Sequence, residues 1–278
     1  MGIDVDVVNK ARDYWDVVGK NAPENCKDHW VDGSGNPLPD TLYQEVGAYV
    51  LKGLDGMREN SAGPRRVLEI GCGTGKILQA LKALRPGLDL SGIDFSQEQI
   101  RHASSTVPGA KFFTGDLEEF VAASVANPEE AGAYDLIFLH SVIQYFPSAG
   151  YFEKFLALCG GLLRRGGALY LIDTPIDWYY DQMRGAPRQT ALTPVKNFIK
   201  KLIGYQPKVQ PPPLTAGELL GGKQIEVPIF PGYWASPEMI QQFAEDQFED
   251  FRFEYQLFKS KPVLYRKYRP SFLLLGKK

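Results

Sequence analysis

Between residues 65 and 175 short apolar runs alternate with amphipathic segments, and no other feature of the chain constrains its fold as tightly. Arg66–Ile70, Asp89–Asp94, Lys111–Phe113, Asp135–His140 and Ala168–Asp173 read as strands, and a helix-like segment follows each. Ser96-x-x-Gln99 places a cap at the head of the segment after the second strand. Strands separated by helices join through crossovers into a parallel sheet, with ligands held at the carboxyl ends of the strands. The expectation is therefore an α/β fold with a doubly wound sheet.

The flanks extend that sheet. Phe251–Leu257 and Ser271–Leu275 read as two further strands that finish it as an antiparallel pair, after a helix opening at Ser236-Pro237-Glu238 with proline at its first position. At the other end, Val7, Val8, Ala11, Tyr14, Trp15 and Val18 recur at helix spacing. A second helix is expected from Thr41, where Thr41-x-x-Gln44 has the form of a capping box, and Asp32–Pro37 is a turn-rich loop between the two. Nine of the twenty prolines lie between 175 and 231, and Arg184–Gln210 holds six Lys or Arg and no acid. The chain thus divides into a helical N-terminal cap (1–62), a core (63–175), a proline-rich basic insertion after the fifth strand (176–235) and the completion of the sheet (236–278). The insertion reads either as a variable surface segment or as a lid over a substrate.

Composition narrows the partners. The 278 residues are 44% hydrophobic and 23% charged, and 31 basic residues stand against 33 acidic ones for a net charge of −2. No global positive field gathers nucleic acid or an anionic membrane, so neither is expected as a partner. Cys26, Cys72 and Cys159 are odd in number and widely spaced, which suggests neither a disulfide framework nor a metal site. Met1–Lys10 lacks the basic-then-apolar form of a signal peptide, and no apolar stretch approaches the ~20 residues that span a bilayer. A cytoplasmic location is the expectation, with the oligomeric state left open.

The most informative stretch is Val67-Leu68-Glu69-Ile70-Gly71-Cys72-Gly73-Thr74-Gly75, a buried strand that runs through a glycine-rich turn into the helix Lys76–Leu84. Glycines at 71, 73 and 75 permit positive φ and close approach of a ligand. A dinucleotide fingerprint needs its third glycine at 76, where this chain has Lys. Asp94 ends the second strand nineteen residues after Gly75, and Asp116 ends the third twenty-two residues later. A carboxylate at a strand tip accepts hydrogen bonds from ribose hydroxyls.

The E-x-G-x-G-x-G pattern with these following acids resembles motif I and its sequel in the class I S-adenosyl-L-methionine-dependent methyltransferases. Tyr134–Pro147 resembles motif IV of that family, and Leu162–Asp173 the helix-turn-strand that comes next, with Arg-Gly-Gly in place of the commoner Pro-Gly-Gly. The resemblance implies a Rossmann-like sheet of seven strands, mostly parallel with the antiparallel C-terminal pair. It implies S-adenosyl-L-methionine as cofactor, bound by Glu69, Gly71, Cys72, Gly73, Gly75, Asp94, Phe95, Asp116, Leu117, Leu139 and His140. Asp94 would hold the ribose, Phe95 the adenine face, and Asp116 with the Leu117 N–H the adenine edge. Read without the resemblance, Asp94 and Asp116 are equally helix caps.

Methyl transfer needs a nucleophile held in line and, for oxygen, a group to take its proton. His140 is the candidate base or, equally, a pocket wall; Tyr145 and Gln144 follow the same strand exit and line the substrate side, and Asp173 either orients a substrate or caps a turn. His29 and His102 are poorer candidates. No Asp/Asn-Pro-Pro-Tyr follows the fourth strand, which disfavours nucleobase or glutamine nitrogen. The expected acceptor is a small natural-product or saccharide-like molecule, modified at oxygen. Two rivals stay open: a protein using the cofactor for other chemistry or as a sensor, and an NAD(P) oxidoreductase.

Overall fold

The computed structural model describes residues 40–57, 65–125, 132–174, 237–254 and 271–277, together with 12, 13, 15, 16 and 20. The sequence expectations for Tyr14, Cys26, His29, the 176–235 insertion and the side chain of Gln144 lie outside these. Seven strands form one sheet: β1 (Arg66–Ile70), β2 (Asp89–Asp94), β3 (Lys111–Thr114), β4 (Tyr134–His140), β5 (Leu163–Ile172), β6 (Phe248–Glu254) and β7 (Ser271–Lys277), in the order β3-β2-β1-β4-β5-β7-β6. The first five are parallel, and β7 runs antiparallel between β5 and β6. The order reverses between β1 and β4, so a crevice opens at their carboxyl ends.

Five helices connect and cover the parallel strands: α1 (Asp40–Asp55), α2 (Lys76–Leu84), α3 (Gln97–Thr106), α4 (Leu117–Val125) and α5 (Ala149–Leu162). A sixth, α6 (Pro237–Ala244), leads into β6 and begins on its proline. Buried strands alternate sides. Leu68, Ile70, Ile137 and Leu169 join the α5 and α6 side chains on one face, while Val67, Leu136, Phe138 and Tyr170 pack with α1 and α2 on the other. The Ser96 cap holds as read, its Oγ accepting from Gln99 N at 3.3 Å.

β3, β4 and β7 depart from the sequence expectation by one or two residues, and three other boundaries also differ. The helix expected from Thr41 already includes Asp40, so Thr41 lies within α1. β5 begins at Leu163, because Leu163 pairs with Tyr134 before the register shifts and Gly166 turns with φ 70°. β6 begins at Phe248, three residues earlier than expected, where Phe248 already pairs with Lys277 of β7.

One close approach seats α1. Gly53 lies over the Tyr170 ring, and a Cβ there would sit 1.8 Å from the Tyr170 hydroxyl oxygen and 2.1 Å from Cζ. The buried ring has little room to retreat, so Gly53→Ala should cost about 1–3 kcal/mol, the range for overpacking a full core. A lowered urea midpoint checks this; an unchanged one means the helix does not rest on Tyr170.

Candidate functional site

The loop after β1 folds back across the strand tips. Gly71 N and Cys72 N both donate to the Ile93 carbonyl of β2, at 2.8 and 3.0 Å, and Gln79 N in α2 reaches back to the Gly75 carbonyl at 2.8 Å. Gly71 and Gly73 have φ of 69° and 52°. At Gly71 a Cβ would lie 2.5 Å from Cγ2 of Val142, so the glycine lets the β1 and β4 exits touch. At Gly73 the place of a Cβ opens on empty space. Cys72 is buried, and its thiol packs against Gly92.

Asp94 ties the loop to the second strand. Its Oδ2 accepts from Gly73 N and its Oδ1 from Ser96 N, both at 2.9 Å. Burial pushes its pKa up to about 6, against the pull of those two N–H donors. Glu69 is buried in the same region; burial first, and the Asp94 charge second, push its carboxyl well above the ordinary range. Its Oε2 has no hydrogen-bond partner among the described residues. Phe95 is half-buried beside Asp94.

Asp116 and Leu117 stand at the tip of β3. The Asp116 Oδ1 accepts from Glu119 N at 2.8 Å while Asp116 N donates to Glu119 Oε2 at 2.9 Å, a reciprocal capping box at the head of α4. One oxygen of Asp116 is therefore occupied in starting a helix, the structural alternative weighed in the sequence. Leu117 is buried.

Leu139 and His140 end β4 fully inside the protein, His140 level with Ile172 of β5. Tyr145 lies on a short 3-10 turn, Ile143–Tyr145. The next residue fixes that turn: the Phe146 ring sits 5.0 Å from Tyr151 and 4.9 Å from Phe155, centroid to centroid. Trp15 meets Tyr145 edge-on at 6.2 Å. Beside it Asp16 accepts from Ser96 Oγ at 2.5 Å and its charge helps to raise the pKa of Asp94. Two side chains of the N-terminal segment thus reach the site. The sequence reading followed the apolar face of that segment and missed Asp16, whose partner lies eighty positions away with no local signal.

The predicted residues fall into two touching groups. Glu69, Gly71, Cys72, Gly73, Gly75, Asp94 and Phe95 gather around the loop, and Leu139, His140 and Tyr145 follow the β4 exit, joined to the loop through Val142. Asp116 and Leu117 lie at the end of the outer strand beside β2. No group of three or more His, Cys, Asp or Glu among the described residues is disposed to hold a metal ion. No described helix is long and apolar enough to cross a membrane.

Comparison with known proteins points the same way. Residues 68–169 match a family model described as a methyltransferase domain. Residues 68–169 form a class I methyltransferase domain. Over 106 residues the chain is 30% identical to a trans-aconitate 2-methyltransferase of Rhodopseudomonas palustris, covering 38% of this chain and 37% of that protein. It is 32% identical over 108 residues to a ubiquinone biosynthesis O-methyltransferase of Burkholderia lata, covering 38% and 43%. The matched region therefore spans less than half of these relatives. Among solved structures, the phosphoethanolamine N-methyltransferase 1 of Haemonchus contortus aligns with a TM-score of 0.57 at 14% identity, over 100% of this chain and 50% of that one, and shows the shared fold.

Methyltransferase domains of this class use S-adenosyl-L-methionine, and the residues fit it. Asp94 has two acceptor oxygens, each held in place by a backbone N–H group, which a ribose diol would suit. The cofactor carries an ammonium and a sulfonium, and the loop region holds two buried carboxyls, Glu69 and Asp94, near enough for the Asp94 charge to help raise the Glu69 pKa.

Proposed function

We propose that the chain transfers a methyl group from S-adenosyl-L-methionine to an oxygen of a small natural-product or saccharide-like acceptor. In this reading 63–175 and 236–278 form the catalytic core, and 1–62 and 176–235 enclose the acceptor. The observation that carries it is the Asp94–Gly73 bond in a glycine loop flanked by two buried acids. When bound, the cofactor supplies an electrophilic methyl group; the chain does the rest. Asp94 holds the ribose, Glu69 meets the ammonium, Phe95 and Asp116 border the adenine, and the Leu117 N–H donates to it. His140 takes the proton of the acceptor hydroxyl, and Tyr145 walls the acceptor. Relatives whose names specify trans-aconitate and ubiquinone biosynthesis support a small-molecule acceptor.

Titration with S-adenosylhomocysteine tests the cofactor site, and methyl-labelled cofactor incubated with a metabolite extract tests transfer. Binding without any labelled product would leave a sensor and defeat the catalytic reading. Asp94→Ala should weaken S-adenosylhomocysteine about 10–100-fold, the worth of a hydrogen bond or two to a charged group. Ionised Asp94 accepts from both hydroxyls, whereas the protonated form gives up one acceptor direction. Affinity should therefore be level above neutral pH and fall up to tenfold per unit below about pH 6, as protons compete for the carboxylate. Asp94→Asn should be weaker and flat in pH. A wild-type profile equally flat would remove Asp94 from the ribose.

A further inference from the structure

Two residues at the strand ends adopt a backbone conformation that their side chains disfavour. Ser141 and Asp173 have φ of 58° and 59°, the only non-glycine residues at positive φ among those described. They are the first residues beyond the facing pair His140 and Ile172, at the carboxyl ends of the neighbouring parallel strands β4 and β5. Ser141 N donates to the Ile172 carbonyl at 3.0 Å, and the Ser141 hydroxyl donates to Asp173 Oδ2. Left-handed backbone at two adjacent non-glycine positions persists only where the surroundings fix it, and such positions concentrate at functional sites.

What surrounds the pair indicates a ligand. Asp173 and Thr174 are 2% and 1% exposed, and Thr174 Oγ1 has no hydrogen-bond partner among the described residues. A buried hydroxyl left without a partner is costly, and a ligand hydroxyl would satisfy it. Val142, next to Ser141, touches the glycine loop at Gly71, so the group lies one residue from the cofactor site. Ser141 spends its proton on Asp173 and keeps lone pairs to accept with. Carboxylate, serine oxygen and threonine hydroxyl together accept well from hydroxyl donors, and the buried negative charge repels a second carboxylate or a phosphate.

We propose that Ser141, Asp173 and Thr174 form the acceptor subsite, which takes neighbouring hydroxyl groups of a neutral acceptor and rejects anionic ones. This rests on the methyltransferase reading and specifies its substrate class. Ser141 and Asp173 touch the acceptor without taking its proton.

The test is calorimetry on the full chain loaded with S-adenosylhomocysteine. The probes are methyl α-D-glucopyranoside, myo-inositol and catechol, with glucuronate and 2-hydroxybenzoate as charged counterparts. At least one neutral probe should bind and both anions should bind at least tenfold more weakly than it. Asp173→Asn suits the left-handed backbone and keeps an acceptor for Ser141. It should weaken the neutral probe at least tenfold, narrow its lead over the anions, and leave S-adenosylhomocysteine affinity within threefold. Ser141→Gly, which relaxes the backbone, should also weaken the neutral probe. Absence of binding by every neutral probe, anions that bind as tightly, or an Asp173→Asn variant with unchanged probe affinity would overturn the subsite. A wild-type chain that fails to bind S-adenosylhomocysteine would overturn the methyltransferase reading itself.

Discussion

Asp135→Ala should lower the stability of this protein by about 3–5 kcal/mol, the range for breaking a buried ion pair from one side. Asp135 sits in β4 with its side chain 3% exposed. Its Oδ1 accepts from Arg65 Nη1 and from Arg164 Nε, and its Oδ2 from the backbone N–H of Arg66, all at 2.8 Å. Arg65 and Arg66 lead into β1, and Arg164 belongs to β5, so one carboxylate fastens three neighbouring strands at their amino ends. Removing it takes away the carboxylate that two largely buried guanidinium groups, 16% and 17% exposed, share.

Asp135→Asn keeps an acceptor but turns an amide N–H toward the donors, and its loss should be intermediate. Since domains are stable by only about 5–15 kcal/mol, the alanine variant should unfold at markedly lower denaturant. A shift in the urea midpoint measures the effect, and moderate salt should barely change it because the pair is shielded from solvent. A loss below about 1 kcal/mol would mean that the strands are held in register without this group.

The contrast between Asp135 and the glycine loop shows what a sequence exposes. The loop is written in neighbouring residues: a strand, three glycines and a helix, with Asp94 at a spacing fixed by one βα unit. Those constraints are local, and the β1, β2, α2 and Ser96-cap boundaries follow from them. The other contacts join distant positions. Asp135 meets partners seventy and twenty-nine residues away, Ser96 meets Asp16 across eighty, and Ser141 meets Asp173 across thirty-two. Each member taken singly is an ordinary polar residue, so periodicity and capping rules assign it no special place. Asp116 carries the opposite lesson. Its strand-end position suggested a ligand, yet the carboxylate also starts a helix, and both tasks fit one residue because each oxygen has its own acceptor directions.

His140→Asn should reduce methyl transfer by about 10²–10⁴-fold at saturating cofactor and acceptor, the contribution of a positioned general base. Asn keeps a polar side chain of similar reach at the end of β4, so a pocket wall would survive the change and a base would not. Two readouts separate the roles. S-adenosylhomocysteine affinity should fall far less than kcat, since the proposed ribose contact is that of Asp94, even where His140 also borders the cofactor. The pH profile of kcat should lose its acidic limb, because an imidazole accepts a proton only in its neutral form. Asp94 also titrates, at about 6, but its limb belongs to cofactor binding and vanishes from kcat once bound ribose keeps the carboxylate ionised. Comparing kcat with kcat/KM for the cofactor therefore assigns each limb to its residue. A His140→Asn variant with less than a tenfold loss in kcat and an unchanged profile would make His140 a wall, and the proton would then leave through another group near the acceptor.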